Sequence, residues 1–250
     1  MSLGYIISPA KKMNLVEGPP YPTSTPRFLA STQELMETVQ KLSFDEAKAV
    51  WKCSDTLAQL NYERFSDMNL KRDTTAAILA YEGIQYQHLA PSILEQEPLD
   101  YLEAHLRILS GFYGILRPSD GVVAYRLEMQ AKLATEHSRD LYGFWGSRLA
   151  EALAEEFDML INLASVEYAK AVVPYCSDLN LPVLTCLFGK LKDGKLIQRS
   201  TEAKAARGSF CRWCAEHAIE QIDDMRAYCE RGYRFDEELS DDNYFVFVEG

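Results

Sequence analysis

Residues 105–129, HLRILSGFYGILRPSDGVVAYRLEM, decide how the chain is read. Leu102, Leu106 and Leu109 recur at helical spacing ahead of two glycines, Gly111 and Gly114. Glycine takes backbone angles that a side chain resists, so the pair predicts a tight turn. Ile115 and Leu116 resume the apolar pattern until Pro118 stops it. The shape implied over residues 102–118 is helix, tight turn, short helix. Such a turn can aim backbone N–H groups at a phosphate. The bland alternative is a packed helical corner whose glycines only permit close approach.

Outward from this stretch, the pattern is a mixture of helices and short strands. Gly4 to Ile7 reads as a buried strand ending in Ser8-Pro9-Ala10-Lys11. A hydroxyl and an ammonium just past a strand end stand where α/β folds place ligand-binding groups. Met159 to Leu163 is a second such strand, with Ser165, Glu167, Tyr168 and Lys170 beyond it. Leu184–Phe188 and Leu196–Arg199 bracket Asp193-Gly194, a hairpin signal, and Phe245 to Val248 reads as a terminal strand.

Helices are expected over Leu29–Lys41, from Ser43 to Val50 behind a capping box with Glu46, and after Ser54-Asp55. Others are expected from Thr74 or Thr75 through Tyr81, over Ala124–Leu133, over Leu141–Phe157 capped by Asp140, and from Thr201 to Tyr228. Gly83, Tyr86 and His88 fall in a loop, and Glu17 to Arg27 is a proline-rich loop or surface wrap. Lys204 and Arg207 share a helix face. The expected fold is one compact α/β or α+β domain spanning residues 1–250. It is not a dinucleotide fold, because no G-x-G-x-x-G follows a strand.

The chain has 250 residues and a net charge of -11, which argues against a generally basic nucleic-acid-binding surface. The charge is uneven. Seven Lys/Arg stand against two Asp/Glu from Lys190 to Arg212, and three against eleven from Trp213 to Gly250. A local positive cleft on an acidic body is consistent with this. No apolar run reaches membrane-spanning length and the start does not read as a signal peptide, so a cytoplasmic protein without a membrane partner is expected. Six cysteines without a dense framework read as reduced thiols. Cys211 and Cys214 form CRWC but lack a second ligand pair, so no metal site is expected, and no cofactor is indicated.

Several words in one order resemble the YaaA family of peroxide stress proteins. They are SPAK at Ser8–Lys11, AYEGIQY at Ala80–Tyr86, HLRILSGFYGILRPSD at His105–Asp120 and YRLEM at Tyr125–Met129. LYGFW at Leu141–Trp145, NLASVEY at Asn162–Tyr168 and KAARG at Lys204–Gly208 complete the set. The resemblance implies a mixed α/β body with a basic cleft, an atypical helix-hairpin-helix element and DNA binding in the response to hydrogen peroxide. It carries the hairpin role onto Leu109, Ser110, Gly111, Phe112, Tyr113 and Gly114, and the cleft role onto Lys11, Arg126, Lys204 and Arg207.

Three functions are weighed. In the favoured one, DNA or another phosphate-bearing ligand is held by Ser8, Lys11, Gly111, Tyr113, Gly114, Arg126, Lys204 and Arg207. In the second, the chain is an enzyme acting on a nucleotide-like or otherwise anionic small molecule. Glu167 is then the general base, and Tyr113 or Tyr168 passes a proton. A noncatalytic scaffold or iron-handling role is a third, weaker reading, and protein partners stay open.

Overall fold

In the computed structural model, which describes residues 2–15 and 24–250, eight strands form one mixed sheet. In chain order they begin with Leu3–Ile7 (β1), Leu106–Ser110 (β2) and Gly114–Leu116 (β3). Met159–Leu163 (β4), Val183–Lys192 (β5) and Lys195–Ile197 (β6) follow, then Tyr233–Asp236 (β7) and Tyr244–Glu249 (β8). The spatial order is β7-β8-β5-β4-β1-β2-β3, with β6 off this path against β5. The expectation of a mixed α/β body holds.

Strands β1, β2 and β4 are buried at every residue, as parallel strands covered on both faces must be. β1 runs parallel to both neighbours, with Ile7 opposite Ile108 on one side and Leu163 on the other. The chain leaves β1 toward β2, but leaves β4 toward β5 in the opposite direction. The strand order therefore reverses between β1 and β4. Connections diverge there and leave a crevice outside the carboxyl ends of the strands.

Helices Leu29–Gln40 (α1), Phe44–Trp51 (α2), Asp55–Ser66 (α3), Ile84–Leu89 (α4) and Gln96–His105 (α5) lie between β1 and β2 in sequence. Leu141–Trp145 (α6), Arg148–Ala154 (α7) and Ser200–Glu216 (α8) come later, and α8 packs on α4 and β5. Local chemistry sets several of the boundaries. Ser43 Oγ accepts the Glu46 N–H at 3.4 Å while the Glu46 carboxylate accepts the Ser43 N–H at 2.8 Å, the reciprocal box that starts α2. Asp140 accepts the Gly143 N–H at 2.9 Å and starts α6.

The central stretch departs from expectation. Helix α5 ends at His105, and residues 106–116 form an antiparallel β-hairpin with Ile108 opposite Leu116 and Ser110 opposite Gly114. The helix-hairpin-helix element expected over residues 102–118 is therefore corrected to a helix followed by a strand pair. A strand buried on both faces carries no alternation, so apolar residues at 106, 108 and 109 satisfy either period. The buried Arg107 misleads further. Its guanidinium is held by the Glu156 carboxylate, with Nε at 2.9 Å and Nη2 at 2.5 Å, and lies over the Phe157 ring.

Other boundaries also move. Residues 75–82 are two short strand pieces flanking a helical turn at Ala77–Ala80, and Tyr86 and His88 belong to α4 instead of a loop. Residues 124–133 are not helical. The single helix expected over 141–157 is α6 and α7, broken at Gly146, whose φ is +52°. Helix α8 stops at Glu216, and a separate 3-10 turn covers Asp223–Ala227. Of the expected proline-rich loop, residues 17–23 lie outside the described residues.

Candidate functional site

The two strand ends that flank the reversal point are tied together directly. Ser8 Oγ accepts the Ser165 N–H at 2.8 Å and donates to Ser165 Oγ at 3.2 Å. Tyr86, on α4, donates its hydroxyl to the Ser8 carbonyl at 3.0 Å. Above this junction lies a cleft of about 680 Å³. Ser8 and Lys11 enter it from the end of β1, and Glu167 and Tyr168 from beyond β4. Lys204 and Arg207 enter from α8, and Arg126 from the irregular segment after β3. Seven side chains spread over two hundred residues of sequence therefore meet in one place.

Three features set the electrostatics. Glu128 bridges two cations, accepting Lys11 Nζ at 2.7 Å on one oxygen and Arg126 Nη2 at 2.9 Å on the other. Glu167 accepts the Gln130 N–H at 3.2 Å. Burial pushes the Glu167 carboxyl above the ordinary carboxylate range, the Gln130 N–H pulls it back, and the Glu128 charge adds to the rise. Arg207 stands apart: among the described residues it makes no ion pair, and its Nε is buried without a partner. Burial holds its guanidinium pKa below the usual value. Gln85 faces the same cleft, is 7 % exposed, and has an unpaired Nε2 among the described residues.

Gly111, Tyr113 and Gly114 are elsewhere. Tyr113 is fully buried and its hydroxyl accepts the Val123 N–H at 3.1 Å. Burial pushes its phenol far above the ordinary value, so a role in passing protons at neutral pH does not fit. The N–H groups of Phe112 and Tyr113, expected to face a phosphate, are taken by Ser110 Oγ at 3.1 and 2.9 Å. Gly114 has φ +74° and packs under Trp145. A Cβ on Gly111 would lie 2.6 Å from the Leu127 carbonyl oxygen. The bland reading of this turn, close approach, describes its geometry. Gly111 nevertheless bears on the site indirectly, because the backbone it lets in carries Arg126 and Glu128.

Tyr168 does line the cleft, but burial drives its phenol well up, so it remains a protonated hydrogen-bond donor. Sequence reasoning missed Gln85, Tyr86 and Tyr125 as cleft residues. Tyr125 bonds Ser110 Oγ at 2.6 Å and the Tyr81 hydroxyl at 2.7 Å, and burial pushes its pKa up to about 12. The signal for the first two was the word AYEGIQY, split between an expected helix end at Tyr81 and a loop, whereas Ile84–Leu89 is a helix. Among the described residues no three His, Cys, Asp or Glu side chains are grouped to hold a metal ion, and no helix is long and apolar enough to cross a membrane.

Comparison with known proteins gives a consistent result. A family model described as "Peroxide stress protein YaaA" matches residues 3–239. A UPF0246 protein of Lachnoclostridium phytofermentans is 47% identical, over 98% of this chain and 96% of the relative. One from Lactiplantibacillus plantarum is 48% identical over 97% and 98% of the two chains. One from Pediococcus pentosaceus is 43% identical over 97% and 96%. With a family match over nearly its whole length and relatives well above 40% identity, the chain belongs to the peroxide stress protein YaaA family.

Proposed function

We propose that the cleft between the ends of β1 and β4 binds a small phosphate-bearing ligand, and that this binding underlies the role of the chain in peroxide stress. The observation that carries the reading is Arg207. A half-buried guanidinium with a buried, unpaired Nε and no carboxylate partner among the described residues is costly, and an anionic ligand relieves the cost through charge-assisted hydrogen bonds. The surroundings agree. Five cationic side chains, Lys11, Lys12, Arg126, Lys204 and Arg207, line the cleft with three acidic ones, Glu82, Glu128 and Glu167. Its volume falls within the range of roughly 300–1,000 Å³ typical of small-molecule sites. Duplex DNA is less well supported, because the glycine turn that was to hold its phosphates is in the core.

Titration calorimetry with inorganic phosphate tests the reading. Saturable binding that weakens about ten-fold in Arg207→Met is expected. Absence of phosphate binding, or an unchanged affinity in Arg207→Met, overturns it. Salt-sensitive binding of a duplex that phosphate does not compete would assign the family role to DNA on another surface.

A second reading, acid–base chemistry on the bound ligand, is favoured by Glu167. A carboxyl raised above its ordinary range by burial, on the wall of a cation-lined cleft, is placed to exchange a proton with a bound ligand. A screen of phosphate esters for turnover tests it. Glu167→Gln should then keep phosphate affinity and lose turnover, and unchanged turnover would remove Glu167 from the chemistry.

A further inference from the structure

Beside the cleft lies a smaller cavity of about 140 Å³ whose lining shares Lys11, Arg126 and Glu128 with it. Its far wall is the end of α2: Val50, Trp51 and Lys52. Lys52 is fixed there by the helix end. Its N–H bonds the Lys48 carbonyl and its φ is +45°. Three cations, Lys11, Lys52 and Arg126, line this cavity with one carboxylate, Glu128, which pairs with Lys11 and Arg126.

Two residues lining this cavity carry a buried donor without a partner among the described residues: Trp51 Nε1 and Arg126 Nε. Trp51 is only 4 % exposed and stacked on Phe65, so its indole cannot turn to solvent for compensation. Buried N–H groups are ordinarily satisfied, and two unsatisfied ones around a cation-rich cavity mark a place for acceptor oxygens. On the same measure as this cavity's volume a single water needs about 10–15 Å³, so the cavity has room for a tetrahedral oxyanion.

Glu128 shows how such an anion would sit. It gives one oxygen to Lys11 and the other to Arg126, as a bridging phosphate would. We infer that the small cavity is a second anion subsite, that Glu128 is the internal counter-ion displaced from its mouth, and that the ligand carries two linked anionic groups of the pyrophosphate type. The first group lies by Arg207 and Lys204, and the second by Lys11, Arg126 and Lys52. This rests on the reading of the main cleft given above. A nucleoside diphosphate and an inorganic condensed phosphate share this chemistry.

The test is calorimetric titration of the full chain with inorganic phosphate, pyrophosphate and adenosine diphosphate. Pyrophosphate should bind about ten-fold tighter than phosphate, as one further charge-assisted contact set provides. Lys52→Gln and Trp51→Phe should each weaken pyrophosphate about five-fold while leaving phosphate unchanged, whereas Arg207→Met weakens both. Lys52 is exposed and its change tests the subsite even if the ring substitution at Trp51 disturbs the fold, which thermal unfolding reports. Phosphate that binds while pyrophosphate binds no tighter, or Lys52→Gln with wild-type pyrophosphate affinity, overturns the second subsite alone. Failure of phosphate itself to bind removes the main-cleft reading and this inference with it. Tighter binding of adenosine diphosphate than of pyrophosphate identifies a nucleotide as the source of the paired anions, and equal or weaker binding identifies the condensed phosphate.

Discussion

Gly208→Ala should loosen the fold and the cleft together. Gly208 lies in α8, next to Arg207, where the helix crosses α4. A Cβ at this position would stand 2.0 Å from the Gln85 carbonyl oxygen, 2.9 Å from its carbon and 3.1 Å from His88 Cβ. Ordinary contact begins at 3.4 Å, so the two helices must separate by most of the difference. The obstacle is backbone, which cannot rotate away as a side-chain tip can. Overpacking of this kind costs about 1–3 kcal/mol, and this case belongs at the upper end. Replacing glycine by alanine within a helix returns about 1 kcal/mol. The expected net loss is about 2 kcal/mol, or a melting point lower by about 4–8 °C for a chain of this size.

The same displacement reaches the site. Helix α8 holds Lys204 and Arg207, and α4 holds Gln85 and Tyr86, whose hydroxyl is tied to the Ser8 carbonyl. Parting the helices widens the space between Arg207 and the strand ends, and phosphate affinity should fall about ten-fold, the worth of one charge-assisted contact. Urea unfolding gives the stability and calorimetry gives the affinity. A variant as stable as wild type, with phosphate affinity intact, would refute both the contact and its connection to the cleft.

Glu167→Gln should be more stable than wild type at neutral pH, with the advantage fading on acidification. Burial raises the folded-state pKa of Glu167, so between the ordinary carboxylate value and the raised one the folded chain binds more protons and loses stability as pH rises. Urea unfolding from about pH 4 to pH 8 checks this, and an advantage that grows toward acid pH would contradict it. Glu156→Gln should cost about 3 kcal/mol by urea unfolding, because it leaves the Arg107 guanidinium, 6% exposed, without its counter-charge. A change close to zero would mean that the Glu103 and Leu106 carbonyls, which also accept from Arg107, suffice. Native thiol labelling should modify the exposed Cys229 first and the partly exposed Cys53 next. Burial pushes Cys176 up to about 11 and Cys211 up to about 12, and raises Cys186 and Cys214 as well, so these four should react only on unfolding.

Much of the site was legible because its signals are local. A short apolar run that stops at Ser8-Pro9, and another that stops before Ser165, announce strand ends from a few residues each. The capping residues Ser43 and Asp140 bond within three residues of themselves. What was not legible depends on distant partners. The charge of Arg107 suits a buried strand only because Glu156 lies beside it, forty-nine residues on. The glycine at 208 permits close approach by another backbone, and one does approach, but nothing near it in sequence names Gln85 as that partner. The reversal of strand order that joins the ends of β1 and β4 is a property of the whole sheet and has no local trace.

Residues 125–133 show a signal that was present and read with the wrong period. Tyr125, Leu127, Met129, Ala131 and Leu133 are buried, while Arg126, Glu128, Gln130 and Lys132 between them are not. That is an alternation of two, and a helix would have scattered these polar residues around its axis. The alternation turns Arg126 and Glu128 toward the two cavities and lets the Gln130 N–H reach Glu167. Its apolar side, in turn, requires the missing side chain of Gly111, against which the backbone of Leu127 to Met129 lies. The glycine turn and the cleft cations thus belong to one mechanical unit, in which the turn sits in the core and sets where the charges stand. Loss of function on enlarging Gly111 would by itself be no sign that the turn touches a ligand. Only a change in Arg126 or Glu128 that alters anion affinity without altering stability separates contact from support.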